Sequence, residues 1–125
     1  MPTYTANLGA TKLVEGQAGA HVVVNEALDV VDKAIAGCLA IDMVTHGADT
    51  KVLTGGESTH AILHVTDAGS ASWLVVQAVS KLWVVVNDSA YSLTVQTAGQ
   101  LSPPTIAAGA VAQLVCDGAD VRLVG

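Results

Sequence analysis

The residues most capable of chemistry in this chain are its histidines, a pair of aspartates and one glycine-rich turn. His60 and His64 stand four apart, a spacing that puts two metal ligands on one face of a helix. The flanking Ala61-Ile62-Leu63 and Val65-Thr66 read as strand instead. Four residues of strand separate the Cα atoms by roughly 13 Å, too far for two bonds of about 2.1 Å to reach one metal. A pairing of His64 with the distant His46 stays open, but a surface or hydrogen-bonded histidine is the preferred reading. Asp29 and Asp32 share a helix face, yet nothing sets their pKa values apart as acid–base catalysis requires, so they read as a solvated face. Thr54-Gly55-Gly56-Glu57-Ser58 has the outline of a phosphate loop without its lysine or its helix, and reads as a turn. Gly-x-Ser-x-Gly is absent, leaving no strained nucleophile. The chain is therefore not read as an enzyme, and no catalytic residue, cofactor site or metal site is assigned.

The elements that would carry these residues fall into two parts. Residues 1–37 form an N-terminal arm and helix, a docking segment. Residues 38–125 form a β module. Met1 to Gly19 reads as an extended or irregular arm, weakly stable by itself. Val24 to Gly37 reads as a helix. Asn25 is placed to cap it, Glu26 to meet the positive end of its dipole, and Gly37 to supply a left-handed stop. Ala27, Leu28, Val31, Ala34 and Ile35 recur at helical spacing and make one apolar stripe. So short a helix must dock that stripe on the β module or on a neighbour.

From Cys38 onward the period falls to two. Expected strands run through Leu39–Val44, Lys51–Thr54, Ala61–Val65, Ser72–Val79, Leu82–Asn87 and Tyr91–Thr97. A final hairpin, Val111–Val124, folds about Asp117-Gly118. Turns are expected at His46–Asp49, Gly55-Gly56, Asp67–Gly69 and Asn87–Ala90, with the Asp67 and Asn87 turns facing outward. Pro103-Pro104 marks a loop or a protected edge. Short strands at this spacing predict a mainly β fold, an antiparallel sandwich or barrel. No whole-domain sequence repeat stands out.

Composition narrows the partners. Among 125 residues, 51% are apolar and only 13% charged, against about 25% charged in an ordinary soluble domain. The formal charge is −6. Lys12, Lys33, Lys51, Lys81 and Arg122 are scattered, so the basic stripe that neutralises phosphates is missing and no direct nucleic-acid partner is expected. No run reaches the ~18 apolar residues of a membrane helix, and no membrane partner is expected. No basic leader with an apolar core opens the chain, so synthesis in the cytoplasm is expected. Spacing leaves a Cys38–Cys116 disulfide open, although free buried thiols, packing as small hydrophobes, are preferred.

Two runs decide the association state. Trp73–Val79 and Leu82–Val86 are apolar on both faces, where a strand with one wet face should alternate. The second face must meet the helix, the other sheet or another subunit, and a domain this small has little to spare. A homo-oligomer follows, with a closed ring as its expected form. The expected interface residues are Val22, Val24, Leu28, Val31, Trp73, Trp83 and Val85. Trp73 and Trp83 are read as core or interface rather than as a sugar-stacking platform.

The string Gly16-Gln17-Ala18-Gly19-Ala20-His21-Val22-Val23-Val24-Asn25-Glu26-Ala27-Leu28, with its later Asp29 and Asp32, resembles the N-terminal signature of an uncharacterised virion-protein family. That family occurs in phages, prophages and gene transfer agents of alphaproteobacteria. Asn7-Leu8-Gly9 also fits, while Gly19-Ala20 and Val23-Val24 replace polar pairs. Leu82–Asp88, Leu93–Thr97 and Leu114–Val121 look like β modules of phage fibres, spikes and capsid-attached proteins. The resemblance implies a virion structural protein, a trimeric capsid decoration protein or the base of a head spike, attached to capsid or spike subunits. A tail-fibre component is the alternative within that class, and a carbohydrate-binding module for host recognition the alternative outside it. It implies no catalytic residue.

Overall fold

The computed structural model describes residues 3–5, 8–12, 18–43 and 49–124. The Gly16-Gln17 pair and the expected turn through His46-Gly47-Ala48 lie outside these residues. In chain order the elements are β1 (Thr3–Tyr4), β2 (Thr11–Lys12), α1 (Ala20–Ala36), β3 (Cys38–Asp42), β4 (Thr50–Val52), α2 (Gly55–Ser58), β5 (Ile62–Thr66), β6 (Ser72–Val75), β7 (Ser80–Asp88), β8 (Leu93–Gln96), β9 (Thr105–Ile106), β10 (Val111–Asp117) and β11 (Val121–Leu123). β1 and β2 pair as a small antiparallel hairpin beside α1, so the described part of the arm, expected to be extended or irregular, is folded back on itself. Beyond it lies a sandwich of a five-stranded sheet, ordered β11-β10-β7-β5-β3, and a four-stranded sheet, ordered β4-β6-β8-β9.

The expected sandwich is present, but its strand directions are mixed rather than antiparallel. From β3 to β8 the chain alternates between the two sheets, so each sheet gains a parallel strand with every circuit. Cys38 lies beside Ile62, and Ile62 beside Val84. In the other sheet Thr50 lies beside Trp73, and Trp73 beside Thr94. This is a coil of three rungs, a structural repeat with no matching sequence repeat. Antiparallel pairing closes it: β9 returns along β8, and β10 and β11 return along β7. Alternation along a strand reports which face is buried and is the same for both directions, so the apolar pattern located the strands without orienting them.

Inside the coil, like residues stack from rung to rung. Leu39, Leu63 and Val85 are register partners, as are Ile41, Val65 and Asn87. The second stack ends in an amide where an aliphatic residue would be expected. Asn87 is fully buried, which corrects the expected outward turn there. Its Nδ2 donates to the carbonyls of Tyr91, at 2.8 Å, and of Ile106 and Ala107, each at 3.1 Å. Its Oδ1 accepts from Ser89 Oγ at 2.7 Å. Its backbone N–H donates to Ala110 O, and its carbonyl accepts from Gly109 N. Its side chain thus fastens the last rung to the β7–β8 connection and to the end of β9, and its backbone fastens it to the approach to β10.

The helix departs from expectation in three ways. It begins at Ala20 behind Gly19, not at Asn25, so Asn25 and Glu26 are interior positions rather than cap and first turn. Gly37 is extended (φ −75°, ψ 137°), not left-handed. Its requirement for glycine is steric: a Cβ there would lie 2.7 Å from Lys33 O and 3.1 Å from His60. That close approach lets Lys33 O accept from both Gly37 N, at 2.9 Å, and Ala61 N, at 3.0 Å, fixing the helix to the start of β5. The single expected stripe also divides in two. Val23 is buried, and Ala27, Val30 and Ala34 are half-buried beneath the helix, while Val24, Leu28, Val31 and Ile35 face out.

Asn87→Ala removes the donor that serves three carbonyls in closed surroundings. We expect it to cost about 2 kcal/mol, since the carbonyl of Ile106 is buried and those of Tyr91 and Ala107 are partly buried. Urea unfolding should show this as a lower midpoint at unchanged slope.

Candidate interaction surfaces

The residues that sequence chemistry singled out are spread over separate parts of the fold. His60 and His64 do not converge: His60 Nδ1 sits 3.0 Å from Glu57 O, and His64 Nε2 sits 3.2 Å from Asp88 Oδ2. Among the described residues, no group of His, Cys, Asp or Glu is arranged to hold a metal ion. Asp29 and Asp32 are exposed on α1. Cys116 is buried and free as expected, whereas Cys38 is free but exposed, because it falls on the outer face of the edge strand β3. No helix among the described residues is long and apolar enough to cross a membrane.

The glycine-rich turn is a single helical turn held by its own ends. Thr54 Oγ1 accepts from Glu57 N at 3.2 Å, and Glu57 Oε1 accepts from Thr54 N at 2.9 Å, a reciprocal capping box. That hydrogen bond from Thr54, helped by Lys51 at 3.5 Å, holds the Glu57 carboxyl below the usual range against an opposing effect of burial. The turn carries a structural load, since Ser58 O accepts from the buried Trp83 Nε1 at 2.9 Å. The sequence held the signal for this box in Thr54-x-x-Glu57.

Between α2 and α1 lies a hollow of about 370 Å³, lined among others by Val30, Gly55, Ser58, Thr59, Gln77 and Lys81. Burial pushes the Lys81 pKa down, and its ammonium lies 5.8 Å from the centre of the Trp83 ring. Among the described residues the lining offers hydroxyls, an amide and one amine.

What remains is apolar surface without cover. On the five-stranded sheet the inward parity of β7 is set by Trp83, Val85 and Asn87. Trp83 and Val85 therefore belong to the core of a single copy, which corrects their placement at an interface. The outward set is Leu82, Val84 and Val86. Leu82 is 53% exposed, and Val84 and Val86 are half-buried. Ile62 and Val111 extend this face across β5 and β10. The two-sided greasiness of the run was thus real, but it was assigned to the wrong alternate residues.

Of the other expected interface residues, Val22, Val24, Leu28 and Val31 are exposed together on α1, joined by Ile35. Trp73 stands apart from them. It lies 40% exposed on the outer face of the four-stranded sheet, in a row with Thr50, Thr94 and Thr105. Comparison with protein-family models, with curated proteins and with solved structures finds no match for the chain.

Glu57 supplies the pH-dependent prediction. Its folded pKa is depressed, so its contribution is present above the unfolded value of about 4.3 and is lost as pH falls through the folded value. Glu57→Gln should therefore lower the urea midpoint more at pH 7 than at pH 3, while Thr54→Ala should cost about 1 kcal/mol at pH 7. An equal loss from Glu57→Gln at both pH values would contradict the assignment.

Proposed function

We propose that this chain is a structural protein of a phage-like virion, working as a capsid-attached decoration protein or the base of a head spike. It acts as a homo-oligomer, with three copies favoured. It uses no catalytic residue and no cofactor, and binds neither nucleic acid nor membrane. It is made in the host cytoplasm and resides on the particle beside capsid, spike or fibre subunits.

One observation carries the assembly part of this reading: a folded copy leaves two apolar faces open, Leu82-Val84-Val86 on the sheet and Val24-Leu28-Val31-Ile35 on the helix. Monomeric proteins rarely leave large contiguous apolar patches bare. Covering them contributes about 25 cal/mol per Å² of apolar area. The virion assignment itself comes from the likeness of Gly16–Asp32 to the family signature.

The test uses particles that lack this protein. Added wild-type protein should sediment with them and stay bound through a density gradient, and a labelled copy should map to the head. Failure to bind would refute the reading, and a label on the tail would replace it with the tail-fibre alternative. The exposure of Trp73 beside three threonines favours one further reading, a carbohydrate-binding module for host recognition. A glycan array distinguishes it. Micromolar binding to a defined sugar, lost in Trp73→Ala with the fold intact, would establish recognition, and no bound sugar would leave Trp73 to a protein contact.

A further inference from the structure

We propose that α1 is the oligomerisation element, and that its outer stripe forms a parallel three-helix seam with the α1 helices of two sister copies. This rests on the homo-oligomer part of the reading above and not on the virion assignment. Val24, Leu28, Val31 and Ile35 follow one another at intervals of four, three and four residues, the spacing of a heptad seam. All four lie exposed, with Leu28 at 60% and Ile35 at 75%. In heptad positions Leu28 and Ile35 occupy a, and Val24 and Val31 occupy d. β-Branched residues at d, with leucine among the a positions, shift preference away from two strands toward three or more.

Two further observations name a sister copy as the occupant. The first is a matching groove. Beside the stripe, Thr11, Lys12, Val23, Val24, Ala27 and Leu28 line most of an apolar hollow of about 310 Å³ between β2 and α1. The chain thus displays projecting aliphatic side chains and, next to them, a recess of the same chemistry. That arrangement suits head-to-tail contacts closing into a ring.

The second is charge. In a parallel seam, the e positions of one helix face the g positions of the next. Here e holds Asn25 and Asp32, while g holds Ala27 and Ala34, so no like charges oppose. The g side is also the side of the groove, where Lys12 stands exposed at the wall. Asp32 of one copy therefore faces Lys12 of the next. Among the described residues neither has an ion-pair partner in its own copy. Two heptads would be marginal for free peptides. This helix is instead held in place by its own body through Lys33 O, so little ordering remains to be done at association.

Mass measurement of the full chain in solution, with variants, tests the inference. The wild type should have three times the 12.6 kDa subunit mass at micromolar concentration. Leu28→Gln with Ile35→Gln keeps good helix formers and should give a monomer with unchanged circular dichroism. Lys12→Glu should raise the concentration needed for assembly several-fold, and adding Asp32→Lys should restore it. A wild-type monomer would overturn both the seam and the oligomer reading. A trimer untouched by the glutamine pair, or a dimeric wild type, would overturn the seam while leaving association through the sheet face. If the glutamine pair fails to fold, the charge exchange decides: no weakening by Lys12→Glu, or no rescue by Asp32→Lys, would overturn the proposal.

Discussion

The fold depends on how a growing coil is brought to an end. Each circuit adds one parallel strand to each sheet and one layer to the inner stacks, and nothing in that process is self-limiting. Each new strand leaves an edge of unpaired N–H and C=O groups that invites another. The chain stops this at Asn87. Its position in register beneath Val65 makes it part of the stack. Its amide then turns the stack from packing to hydrogen bonding and reaches the carbonyl of Tyr91 in the β7–β8 connection and those of Ile106 and Ala107 at the end of the returning β9. A valine there would pack equally well and leave those carbonyls without a donor. One more parallel strand, β8, follows before β9 and β10 reverse direction.

The connection from the first rung to the second is held by different chemistry. α2 is too short to persist by itself, and the Thr54–Glu57 box satisfies its free backbone donors. Once formed, it offers Ser58 O to Trp83 and Ser58 Oγ to Gln77 N. The largest buried side chain is thereby tied to the smallest helix, and Gln77 Nε2 returns to Leu53 O. Both places use polar side chains to fix backbone that no ladder reaches. The hairpin of β10 and β11 uses the same device in the open. Asp117 Oδ1 accepts from Ala119 N and Asp120 N, which holds its carboxyl below the usual range, and Gly118 takes the positive φ of 98°.

Most strands and the helix were legible in the sequence because they rest on periodicity. Leu93-Thr-Val-Gln alternates, and its valine and leucine are buried. Parallel pairing was not legible, since an inward residue is inward whichever way its neighbour runs. The parity of β7 was not legible either: Leu82-Trp83-Val84-Val85-Val86 is apolar at every position, so either alternate set could face the core. Only Asn87 broke the tie, and an asparagine beside Asp88-Ser89 reads locally as a turn. The helix start failed for a related reason. Ala20-His21-Val22-Val23-Val24 has weak helix propensity, and the covering of Val23 and Ala27 by the β1–β2 hairpin supplies what propensity lacks.

The two uncovered faces are unlike, and the difference bears on how copies associate. The sheet face is broad and interrupted by the exposed His64–Asp88 pair and by Gln113. Any partner there must accommodate polar groups within an apolar field. The helix stripe is narrow and uninterrupted over three turns, with its acidic residues set to one side. Narrow, regular surfaces specify register and number, whereas broad mixed ones tolerate several fits. A fold that leaves the regular surface on a helix pinned at one end, and the mixed surface on a flat sheet, separates two tasks. In the proposed assembly the helix would count the copies, and the sheet would be left for whatever larger surface the ring meets.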